Sequence, residues 1–96
     1  MIRVVFNLAA PLRSFASGRH QLEIEVSGAT VAAALDALWA VCPGARDRVL
    51  TEQGEVRPHV NLFVGNESIR FTGELATPVP DGAEISILPA VSGGAI

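Results

Sequence analysis

The chain has 96 residues, of which 49% are apolar, and a formal charge of −3, which suits one small domain with enough apolar residues for a core. All seven positive charges are arginine, and only Arg46 and Arg48 lie close together, so no polybasic surface for nucleic acid or an anionic membrane is expected. Its single cysteine excludes an internal disulfide, the lack of lysine excludes Schiff-base and P-loop lysine chemistry, and no stretch approaches the roughly 18 apolar residues of a membrane span. The N-terminus has no signal-peptide architecture, so a cytoplasmic protein is expected.

Residues 2–8, IRVVFNL, alternate as a strand, with Ile2, Val4, Phe6 and Leu8 on one face and Arg3, Val5 and Asn7 on the other. Pro11 ends it. Residues 19–26, RHQLEIEV, form a second alternating strand, with Leu22, Ile24 and Val26 inward and Gln21, Glu23 and Glu25 outward. A short loop between the two predicts a hairpin. The period then changes: Val31, Leu35, Leu38 and Cys42 form one helical stripe, Thr30 is placed to cap it, and Pro43-Gly44 stops it. The following ARDRVL adds one more turn.

Residues 51–58 read as a polar loop whose one apolar anchor is Val56. Residues 59–65 alternate again, with Val60, Leu62 and Val64 inward and Asn61 and Phe63 outward. Gly65-Asn66 marks a turn, and ESIRF is expected to return as a short strand. Pro78, Pro80 and Asp81-Gly82 force turns before the last strand, 83–88, with Ile85 and Ile87 inward. The expected architecture is α+β with the order β-β-α-β-β-β, one mixed sheet packed on one main helix, the β-grasp arrangement. Residues 1–90 make the domain and 91–96 a flexible tail.

The domain itself carries no convincing catalytic constellation. His20 and His59 lie on different strands with no ligand at metal spacing, so no metal is expected. Cys42 reads as a buried small hydrophobe, and Glu23 and Glu25 as a solubilising face. Ser14, Ser17, Ser68 and Ser86 lack a base in any motif context, and Trp39 flanks the core. The distinctive feature is the tail, which holds the sole adjacent glycine pair, Gly93-Gly94. A glycine carboxylate, once adenylated by ATP, can accept sulfide or persulfide sulfur and become a thiocarboxylate. Glycines without a Cβ suit a narrow channel beside a nucleotide.

VNLFVGNESIRF, GELATPVPDG and ISILPAVSGG, within residues 60–94, resemble the second half of MoaD/ThiS-type ubiquitin-like sulfur-carrier proteins, and most closely the CysO-like branch associated with cysteine biosynthesis. The first 50 residues agree mainly in element order. The resemblance implies that Gly94 carries the adenylate and then the thiocarboxylate, with Gly93, Ser92 and Val91 as the slender arm before it and Pro89 stiffening its base. It implies a carrier that is not itself an enzyme and binds no cofactor. An E1-like adenylyltransferase uses ATP and Mg²⁺ to activate it, and a PLP-dependent cysteine synthase type of enzyme accepts the sulfur.

Ala95 and Ile96 follow the second glycine, which departs from the family pattern and leaves the Gly94 carbonyl as an amide. Either these residues are trimmed at the Gly94–Ala95 bond, by a JAMM-type metalloprotease as in some related systems, or the tail is inert and the domain a binding module. Strand parity places Phe63 and Leu88, with Val5 alongside, on the outer face as a docking patch. The alternatives to a sulfur carrier are a ubiquitin-like modifier that forms isopeptides, and the small subunit of molybdopterin synthase.

Overall fold

The computed structural model describes residues 1–89. Five strands form one mixed sheet: β1 (Ile2–Leu8), β2 (Gln21–Val26), β3 (Val60–Val64), β4 (Glu67–Ser68) and β5 (Glu84–Pro89), in the order β2-β1-β5-β3-β4. β5 runs parallel to β1, and the other neighbouring pairs are antiparallel. This is the expected β-grasp arrangement.

The long helix α2 (Val31–Val41) covers one face of the sheet. Thr30 is its N-cap, its hydroxyl accepting from the Ala33 N–H at 3.2 Å. Val31, Leu35, Leu38 and Cys42 are all buried, as their spacing requires. They meet Val4, Phe6, Leu22, Leu62, Ile85 and Ile87, which the strand parity turns to the same side. Ile2, Ile24 and Val64 also pack against this core but are only partly buried, because they lie nearer its margins. The buried Thr77 hydroxyl donates to the Glu74 carbonyl (2.7 Å), and the Thr77 carbonyl accepts from the Val31 N–H (3.0 Å). Those bonds tie the irregular segment before β5 to the start of α2.

Three expectations need correction. The connection between β1 and β2 is not a simple loop. Pro11 starts a one-turn helix, α1 (Ala10–Arg13), and a 3-10 turn, Ser14–Ala16, follows it. Proline fits the first helical turn because its missing N–H would have no intrahelical partner there. Leu12 and Ala16 lie four residues apart and are both buried, so this segment closes one end of the core. The strand that follows begins at Gln21 rather than Arg19.

ESIRF is mostly not a strand. β4 stops at Ser68, whose hydroxyl accepts from the Arg70 N–H at 3.3 Å and starts a 3-10 turn over Ile69–Phe71. The turn buries Ile69. The Arg70 guanidinium donates to the Pro58 and Val60 carbonyls at 3.0 and 3.1 Å, which holds the segment against β3.

The last strand is displaced by one residue, to Glu84–Pro89. The additional turn after α2 is present as α3 (Arg46–Val49). The polar 51–58 segment is anchored at Val56 through a bridge to Leu50.

Candidate functional site

β5 lies in the middle of the sheet, with β1 on one side and β3 on the other. The Ala9 N–H donates to the Ile87 carbonyl at 3.2 Å, and Pro89 pairs with Val60. The chain therefore leaves a strand held by hydrogen bonds on both sides, a firmer root than an edge strand provides. Gly94, the adenylation position, and the arm residues Val91, Ser92 and Gly93 lie outside the described residues, as do Ala95 and Ile96. Gly94 is the fifth residue after Pro89, so the chain between them can span at most about 17 Å.

The proposed docking patch lies on the sheet face opposite α2. Phe63 pairs with Ser86, which in turn pairs with Asn7, so Phe63, Ser86 and Asn7 share one row. Leu88 and Val5 lie two residues to either side of that row, Leu88 directly on β5 and Val5 on β1, within diagonal reach of its neighbours. All three fall outside the buried core. Leu88 is 41% exposed, whereas Phe63 and Val5 are partly buried. Parity thus places them on the outer face as expected.

Polar residues run through the patch, between Leu88 and Val5. The Asn7 amide donates to Glu84 Oε1 (3.0 Å) and Ser86 Oγ (3.3 Å), and the Gln21 amide donates to Asn7 Oδ1 (2.9 Å). These bonds align a polar row that continues from Phe63 across β5, β1 and β2. Arg3 and Glu23 form a solvated ion pair at 3.6 Å, which adds little to stability.

Replacing Phe63 with Ser tests the face. The expected stability loss is about 1 kcal/mol, because the ring is only partly buried. Binding to a partner that uses this face should fall much more. A thermal shift as large as that of a core deletion would show that Phe63 is structural instead.

A groove opens beside the root of the tail. Its volume is about 270 Å³, and Ala9, Pro11, Leu12, Val49, Val60 and Leu88 form most of its wall. Arg48 and His59 are its titratable residues. No local pattern in the sequence marks this groove, because it assembles four separate chain segments. Pro11 at the head of a helical turn signals only one of them.

The remaining candidate residues do not converge. His20 lies before β2 and His59 before β3. Among the described residues, no three His, Cys, Asp or Glu side chains gather in a way that could hold a metal. Burial pushes the Cys42 thiol pKa up, an effect partly opposed by Arg19, so the thiol stays protonated and unreactive. Glu23 and Glu25 point outward from β2, and Trp39 is partly buried against the core. Among the described residues, no helix is long and apolar enough to cross a membrane.

The ThiS family profile matches residues 6–94, and the match ends at the second glycine. Sulfur carrier protein CysO of Mycobacterium tuberculosis is 35% identical over 95 residues, covering 97% of this chain and 100% of that protein. The crystal structure of the Amycolatopsis orientalis BexX/CysO complex is similar with a TM-score of 0.84 and 33% identity, covering 95% of this chain and 99% of the matched one. Small archaeal modifier protein 1 of Haloferax volcanii is similar with a TM-score of 0.81 and 29% identity, covering 95% of this chain and 100% of that one.

Proposed function

The chain belongs to the ThiS family, and from that premise we propose that it is a sulfur carrier whose Gly94 is converted to a thiocarboxylate for biosynthesis of cysteine or a related sulfur metabolite. The observation that carries this reading is the root of the tail: a diglycine arm continues from a central, doubly paired strand, and the family match runs to Gly94. Full-length similarity to a sulfur carrier protein supports it.

The chemistry divides into two steps. A Gly94 carboxylate oxygen attacks the α-phosphorus of ATP, forming an O–P bond, and pyrophosphate leaves with the electron pair of the broken bond. Sulfide then adds to the acyl carbon and AMP departs, leaving –C(O)S⁻. An E1-like adenylyltransferase catalyses the first step with ATP and Mg²⁺, and the carrier is its co-substrate. A PLP-dependent enzyme of the cysteine synthase type takes the sulfur. The Amycolatopsis chain was crystallised in complex with BexX, which supports a carrier that acts by docking onto partner proteins.

Ala95 and Ile96 must be removed before the first step, because the Gly94 carbonyl is otherwise an amide. A JAMM-type metalloprotease is the proposed agent. The intact mass of the protein from its native cell tests the whole reading. Loss of every residue after Gly94, with one terminal oxygen replaced by sulfur, is the expected result. Retention of Ala95-Ile96 under active sulfur metabolism would overturn maturation and leave a binding module.

A second reading has a specific observation in its favour. The structural relative from Haloferax volcanii is a small archaeal modifier protein. A modifier would share the adenylation step and then join Gly94 to a lysine amine. Peptides branched at lysine with a Gly-Gly remnant from this chain would establish that outcome.

A further inference from the structure

We infer that the groove at the root of the tail is a second docking site, which takes an apolar side chain flanked by carboxylates on the enzyme that adenylates Gly94. The inference rests on the sulfur-carrier reading above, since that reading supplies the enzyme. Three observations carry it.

The first is charge segregation. The chain as a whole is acidic, at −3, yet the groove's titratable residues are Arg48 and His59, both exposed, with no carboxylate among its lining. The same end of the sheet carries a second arginine, Arg13, whose guanidinium donates to the Leu8 carbonyl at 3.1 Å. Glu84 and Asp81 mark the opposite end, where Asp81 accepts from the Arg3 N–H and Glu84 begins β5. Asp47 beside Arg48 is paired with Arg46, and Arg3 at the far end with Glu23, so among the described residues Arg48 and Arg13 stay without an ion pair and favour an acidic partner surface here.

The second is position. Leu88 belongs both to the groove wall and to the outer-face patch, and it directly precedes the last described residue, Pro89. An enzyme that threads the tail into its nucleotide site must bring its rim against the surface from which the tail departs. The groove is that surface.

The third is preorganisation. Arg48 lies over the Phe15 ring, its guanidinium carbon 5.8 Å from the ring centre, and makes no ion pair among the described residues. The aromatic face supports the cation without neutralising it, so its charge stays available to a partner carboxylate. Leu12, Val49 and Val60, which also line the groove, are buried members of the core and tie it to the packed interior.

The test is pyrophosphate exchange catalysed by the E1-like adenylyltransferase, purified by that activity on the chain ending at Gly94. Arg48→Glu should raise the KM for the carrier about tenfold and leave kcat unchanged. Adding His59→Glu should raise it further. Ser27→Glu combined with Ala29→Glu, which makes the same change in net charge at exposed positions beyond the opposite end of the sheet, should leave KM unchanged. The salt dependence of KM should weaken in Arg48→Glu, a response that a merely structural residue would not give. Melting curves check that each variant is folded.

If the folded Arg48→Glu variant matches the parent in KM and salt response, the docking inference fails and the sulfur-carrier reading stands. If the parent chain itself supports no exchange, the sulfur-carrier reading fails and the inference falls with it.

Discussion

A chain that stops at Gly94 will support ATP–pyrophosphate exchange, and the same chain carrying Ala95 and Ile96 will not. The expected difference is at least on the order of a thousandfold, which corresponds to about 4 kcal/mol of barrier. Its source is chemical rather than structural. A carboxylate oxygen carries the negative charge that attacks the α-phosphorus, whereas an amide oxygen is a poor nucleophile whose acyl carbon is already bonded to nitrogen. The two residues lie beyond a tail root paired on both sides, so their removal should leave the fold and its melting temperature unchanged. Exchange by the longer chain at the rate of the shorter one, with its mass unchanged at the end of the assay, would rule out Gly94 as the activated residue.

The second large effect is on stability. Phe6→Ala should destabilise the domain by about 3–5 kcal/mol, the usual cost of deleting a buried aromatic ring. Phe6 is fully buried on β1, where it pairs with Leu22 on β2 and Ile85 on β5. The ring therefore packs beside both neighbours of its strand, and the cavity it leaves borders three strands that cannot close up independently. For a chain of this size each kcal/mol shifts the melting temperature by about 4–8 °C, so a fall of about 12–40 °C is expected. Total stability of small domains is about 5–15 kcal/mol, so the variant approaches the limit of folding. Chemical denaturation gives the direct measurement. A loss no larger than that of Phe63→Ser would mean that β1 repacks around the gap, contrary to the buried register described above.

The comparison between Phe6 and Phe63 shows what alternation can reveal. Both are phenylalanines in strands, and the period of two assigns one to the core and the other to the outer face. The structure agrees with both assignments. The patch of Val5, Phe63 and Leu88 was therefore legible as a shared face. Its role as a docking surface follows from the sulfur-carrier reading and is tested by the Phe63 variant.

Elements whose cause is local are legible in the residues alone. The α2 stripe at Val31, Leu35, Leu38 and Cys42 follows from helical spacing, and Thr30 announces its start through one side-chain oxygen. Gly65-Asn66 marks the end of β3 because the turn needs a positive φ, and Gly65 adopts 61°. The diglycine of the tail is likewise visible without a fold. The rest depends on contacts between segments distant in the chain. The insertion of β5 between β1 and β3 depends on pairings such as Phe6 with Ile85, which no local pattern encodes. Ser68 has the composition of a returning strand, but burying Ile69 and anchoring Arg70 on the Pro58 and Val60 carbonyls turn the chain there instead. The groove draws on residues 9–12, 48–49, 59–60 and 87–88, which meet because the sheet closes around its central strand. Periodicity reports which side of its own element a residue faces; which distant segments stand beside it depends on how the elements bury their apolar faces together.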